Sequence, residues 1–114
     1  MAILSVAQAL ELIDGLDIPA TQLAWKDRKP PPPPYVVLVP HESRHDYKDG
    51  HVLRKRRAYD FELYTRERDI ALEQRIEHVL DDAEVAYSSD VTMDEENKYC
   101  ITYFSTTLIE QEAT

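Results

Sequence analysis

The segment HESRHDYKDGH places His41, His45, Asp46 and His51 within eleven residues, and imidazole with carboxylate is a competent donor set for a divalent transition metal. His41 and His45 would share a face only in a helix, whereas Asp49-Gly50 in their midst is a two-residue hairpin signal. In strands the facing residues alternate, so the spacing favours a solvated hairpin arm over a metal centre. The other concentrated chemistry is Arg54-Lys55-Arg56-Arg57, four adjacent cations suited to phosphates or to an acidic protein surface. Residues 41–57 hold six Lys and Arg against three carboxylates, a local +3 that leaves -12 on the rest of a chain whose net charge is -9. A positive arm on a negative body suits head-to-tail packing of identical subunits, which joins two different patches. Arg54, Lys55, Arg56, Arg57 and the apolar Tyr47 are therefore candidate subunit-interface residues, with an arm that meets only solvent as the competing reading.

Little else in the chain could do chemistry. Carboxylates cluster as Asp81-Asp82 and Asp94-Glu95-Glu96, where a solvated face explains them. Two glycines, Gly15 and Gly50, leave no phosphate-cradling loop, nucleophile elbow or dinucleotide fingerprint. Cys100 is the single cysteine and sits in a strand-like run, so a small buried hydrophobe is expected of it. The expectation is a protein that is not an enzyme and carries no cofactor and no metal.

These residues must be positioned by one domain, since 114 residues make one core. The acidic balance opposes general binding to phosphate backbones, which depends on cations displacing counterions. No apolar run approaches the ~20 residues of a membrane helix, and the N-terminus has no signal-peptide pattern, so a soluble chain made in the cytoplasm is expected.

Periodicity then sets the elements. Ile3, Val6, Ala7, Leu10 and Ile13 predict a helix over 3–14, closed by a left-handed Gly15 with Leu16 as its apolar contact. Thr21, Leu23 and Trp25 alternate as a short strand, and Pro30 to Pro34 form a stiff extended spacer, with a docking peptide as the alternative. Residues 35–39 and 59–64 predict strands of one long hairpin spanning about 35–64, turning at Asp49-Gly50. Its distal part, 41–57, has too few apolar residues for the core and should project. Asp69 caps a second helix whose stripe is Leu72, Ile76, Val79, Leu80 and Ala83. Residues 85–87 and 99–108 close the sheet, and 110–114 should fray. The fold class is α+β: an antiparallel-rich sheet with a long projecting β-hairpin and two helices packed on one face.

The stretches PPPPPYVVLVP, RRAYDFELYTRERD, LEQRIEHVLDDAEVAY and KYCITYF, in that order over residues 30–104, resemble the tail-terminator and tail-to-head joining proteins of siphophages. The motif shared is YxxELYT, an acid-capped helix and an aromatic final strand. The resemblance implies a homo-oligomeric ring, usually a hexamer, that ends the tail tube and receives the filled head. It further implies a major tail-tube protein and head-neck connectors as partners, DNA crossing the lumen without specific binding, and a place at the tail-neck junction of the virion after assembly in the host cytoplasm. Within the first of these stretches the five-proline run is a departure from the family's pattern. Another neck or minor tail protein, or a cytoplasmic adaptor docking through its prolines, are the competing functions.

Overall fold

The computed structural model describes residues 3–22 and 30–112. The expected strand residues Leu23 and Trp25 lie outside them. The elements are α1 (Val6–Asp14), β1 (Ala20–Gln22), β2 (Tyr35–Ser43), β3 (Asp46–Lys48), β4 (His51–Thr65), α2 (Ile70–Asp82), β5 (Ser88–Asp94) and β6 (Tyr99–Glu112). The sheet runs β1-β2-β4-β6-β5, with β3 paired to β4 beyond that path. Among the described strands β1 and β2 pair in parallel and the other pairs are antiparallel. The protein is α+β, as its alternating strands and two amphipathic stripes require.

Alternation along the long strands separates two faces. Val36 and Leu38 of β2, Tyr59, Phe61 and Leu63 of β4, and Phe104 and Leu108 of β6 join one core with Ala9 and Ile13 of α1 and Leu72, Ile76 and Leu80 of α2. Both helices therefore cover the same face. Cys100 is fully buried, in the role of a small hydrophobe.

The helix ends explain where the chain departs from its periodicity. α1 begins at Val6 because Ser5 and Gln8 form a reciprocal capping box: Ser5 Oγ accepts from Gln8 N at 3.2 Å, and Gln8 Oε1 accepts from Ser5 N at 2.9 Å. The expected first turn is extended instead, where Ile109 N donates to Leu4 O at 2.8 Å. Gly15 is right-handed, with φ -65°; the left-handed residue is Asp17, φ 61°. Glycine suits position 15 for another reason, since a Cβ there would meet Leu12 O at 3.3 Å. Leu16 is buried, as its capping contact requires.

α2 starts as expected, with the Asp69 carboxylate accepting from Leu72 N at 3.0 Å. It ends in a Schellman arrangement: Glu84 is left-handed at φ 59°, Glu84 N donates to Asp81 O at 3.0 Å and Val85 N to Leu80 O at 3.1 Å. Val85 is thus the buried apolar residue of a helix stop. That corrects the expected strand over 85–87, which begins only at Ser88.

Two further expectations are corrected. As far as Glu112 the tail is paired rather than frayed, Gln111 and Glu112 standing opposite Lys55 and Arg54 of β4, and the rest of the expected frayed segment, 113–114, lies outside the described residues. The proline run is no straight rod: the chain bends through 32–34, and the Pro33–Pro34 peptide is cis. The hairpin turn itself stands as predicted, Asp49 and Gly50 both having positive φ, 51° and 77°. β4 holds fifteen residues, and at ~3.3 Å per residue it spans roughly the 49 Å long dimension of the molecule.

Candidate functional site

The arm is built in two parts with different support. Its base is embraced on both sides, by β2 up to the Ser43–Arg57 pair and by β6 up to the Arg54–Glu112 pair. Its tip, β3 with the first residues of β4, is two strands wide among the described residues. Most of the expected interface cations lie on the base. Arg57 Nε donates to Glu110 Oε1 at 3.0 Å, its Nη1 donates to His41 O at 2.7 Å, and Tyr59 OH donates to Glu110 Oε2 at 2.5 Å. Arg54 Nε and Arg56 Nη2 both donate to the Asp46 carboxylate, at 2.9 and 2.8 Å. Three of the four cations therefore hold the arm to its own chain.

The remaining candidates are exposed. Tyr47 is 64% exposed, beside Val52 at 38% and Leu53 at 45%. Lys48 and Lys55 are exposed and form no ion pair among the described residues. An apolar tip flanked by unpaired lysines is what the arm offers a partner.

The polar nodes of the arm carry a pH signature. The hydrogen bond from Tyr59, and then Arg57, hold the Glu110 carboxyl below its ordinary range. Arg54 first and Arg56 second do the same for Asp46. Both groups have folded values below their unfolded ones. Their contribution is complete above the unfolded carboxylate range, about pH 4, and is lost as pH falls through the folded values. At the alkaline end the sign reverses. Burial, then Glu110, pushes the Tyr59 phenol up to about 12, and burial, then Asp81, pushes Tyr87 up to about 12. These two contributions are complete below the unfolded tyrosine value, about 10, and are lost between there and the folded values. The thermal midpoint should fall at both ends. Glu110→Gln should flatten the acid limb and lower the Tyr59 value, read from phenolate absorbance. An unchanged Tyr59 titration would show that the two groups do not interact.

The histidine-rich segment does not converge on a metal. His41 Nε2 lies 2.9 Å from Asp60 Oδ2, Asp46 is committed to two arginines, and His51 stands opposite Lys48 at the turn. Among the described residues no group of three His, Cys, Asp or Glu side chains could hold an ion. His41, Asp60 and Ser105 form a cluster of hydrolase-like residue types, with Ser105 Oγ donating to Asp60 Oδ1 at 2.5 Å. The carboxylate, however, stands between hydroxyl and imidazole. A nucleophilic triad needs the imidazole in the middle to take the hydroxyl proton, so this order activates nothing. An open groove of about 620 Å³ runs between Pro33, Pro34, Arg66 and Ile70, but its Arg68 is tied to Glu73 by bonds of 3.2 and 3.3 Å.

Sequence reasoning missed the second surface. The sheet face turned away from the helices carries Tyr64, Tyr99 and Tyr103, all half-buried, interleaved with Asp60, Glu62 and Asp90. Tyr64 stacks on Tyr35 with centroids 4.9 Å apart and meets Tyr99 edge-on at 6.0 Å. Burial, followed by the Glu62 carboxylate that accepts its hydroxyl, pushes the Tyr64 phenol up. The available signal was the alternation Asp60, Glu62, Tyr64 against Tyr99, Ile101, Tyr103. Apart from Ile101, both runs have polar or amphipathic groups at the positions opposite the core.

Fold and surfaces together define a one-sided sheet and helix sandwich with a projecting β-arm. No family model matches the chain, and no curated protein matches it either.

Proposed function

We propose that this chain is a structural subunit of a long-tailed phage, which ends the tail tube and forms the ring joining tail to head. The observation that carries the reading is the arm tip. Tyr47, Val52 and Leu53 are exposed on a two-strand extension that lies beyond the reach of its own core. An apolar, lysine-flanked tip has its use in a contact with another molecule. The charge split adds to this, because the +3 segment 41–57 can face the -12 remainder of a neighbouring copy. Sixfold order, the tube and neck partners, passage of DNA through the lumen and residence in the virion come with the family resemblance of residues 30–104.

The test is assembly. Light scattering across a concentration series should show a ring-sized species, or a monomer that assembles once purified tail tubes are added. Tails made without the protein should fail to join heads and regain joining when it is supplied. A chain that stays monomeric with and without tubes overturns the reading. Tails that join heads normally without it would move the protein to another position in the particle.

A further inference from the structure

We infer that the lysine-bearing side of one copy's arm tip docks on the helix-free sheet face of another copy, around Tyr103. The inference rests on the ring-subunit reading and names its contact.

The receiving surface is set by register. Glu62 of β4 and Asp90 of β5 stand directly opposite Tyr103 on its two flanks, so one half-buried ring lies between two carboxylates. Asp60 is the next residue on the same face of β4, and none of these four side chains joins the helix-covered core. Burial first, then the Glu62, Asp60, Asp90 and Asp94 carboxylates around it, pushes the Tyr103 phenol up. An aromatic face inside a carboxylate pair suits an ammonium group, by charge and by the ring quadrupole together.

The matching group is on the arm. Alternation along β4 sets Leu53 and Lys55 on one side of the tip, and Lys48 stands across from His51 on that same side. Two lysines without an ion partner among the described residues thus flank one exposed leucine. The arm cannot reach its own Tyr103 region. Lys55 and Glu62 are seven positions apart on one extended strand, roughly 23 Å at ~3.3 Å per residue, and Lys48 lies farther out still. An arm tip that docks there therefore belongs to a second copy. A contact between two different patches is heterologous, the kind that closes into a ring when its rotation allows.

Carbodiimide, which joins lysine to carboxylate with no spacer, tests this on the full chain. Oligomer would be prepared from a mixture of isotopically light and heavy protein, so that links between copies carry hybrid masses. Links from Lys48 or Lys55 to Glu62 or Asp90 with hybrid mass are expected. Lys48→Glu with Lys55→Glu should weaken association about tenfold, the effect of two partly exposed pairs, and Asp90→Lys should weaken it in the same direction. Mixing the two variants should recover association, because each supplies the charge the other needs. An oligomer whose hybrid links lie elsewhere, or a mixture that recovers nothing, overturns the inference and leaves the ring reading standing. With purified tail tubes added, links from Glu62 or Asp90 to lysines of the tube protein in place of the hybrid links would assign the face to that partner and also overturn it. A chain that forms no oligomer under any condition removes both.

Discussion

Phe104→Ala should cost the fold about 3–5 kcal/mol, the usual range for emptying a buried phenylalanine site. Phe104 is fully buried in β6, stands opposite Phe61 of β4, and meets Tyr87 edge-on with centroids 6.3 Å apart. It lies where the central strand pair meets the helices, and the core cluster it belongs to draws residues from α1, α2, β2, β4 and β6. Collapse of neighbours into the hole is limited, because the two backbone ladders beside it hold their spacing. A domain of this size has about 5–15 kcal/mol in total, so the variant loses a large share of it. The thermal midpoint should drop by more than about 12 °C, given roughly 4–8 °C per kcal/mol at this length. Urea denaturation would give the loss directly, with an unchanged slope showing that the transition remains two-state. Leu53→Ala on the arm tip is the control, since that side chain is already 45% exposed. A Phe104→Ala midpoint close to that of the control would mean that the sheet and helix layers do not share one core.

Much of this architecture could be read from the residues because local and tertiary preferences agree. Asp69 ahead of Leu72, Ile76 and Leu80 signals a capped amphipathic helix, and the helix packs on that stripe. Asp49-Gly50 signals a type I′ turn, and the backbone adopts it. The misses occur where one residue serves two patterns. Val85 looks like the start of a strand because it is β-branched and followed by Tyr87, yet its amide closes the α2 stop and its side chain fills that cap. Residues 110–112 look too polar for a sheet, but Glu110 is held by Arg57 and Tyr59 far back in the chain. Contacts of that separation leave no local trace. The same holds for the candidate surfaces. The basic run 54–57 was visible as charge, but its division into Asp46- and Glu110-bound arginines and a Lys55 with no ion pair among the described residues depends on strand register. The tyrosine and carboxylate face became a surface only once both helices were found on the opposite side.

Reversing Arg54 and Arg56 to Glu should abolish assembly, and the structure separates two reasons why it could. Both guanidiniums grip the Asp46 carboxylate, so the double variant replaces two attractive contacts with three carboxylates at one point. β3 is only three residues long and, among the described residues, pairs with β4 alone, so it has little else to hold it. Amides of Asp46, Tyr47 and Lys48 should therefore lose hydrogen-exchange protection, as a locally opening unit does. The core is not part of that unit, and the global midpoint should move far less than in Phe104→Ala. Adding Asp46→Arg to the double variant restores opposite charges in swapped order, and should restore protection in β3. Assembly in the triple variant then decides the role of the cations. If it returns with the protection, Arg54 and Arg56 serve by holding the arm in shape, and the contact with a neighbour is made by the tip. If β3 is ordered again and assembly is still lost, the two arginines touch the neighbour themselves, because the arm's shape has been recovered and only the sign of its charge at those positions differs. Should the double variant keep its β3 protection from the start, the Asp46 clamp does not organise the arm.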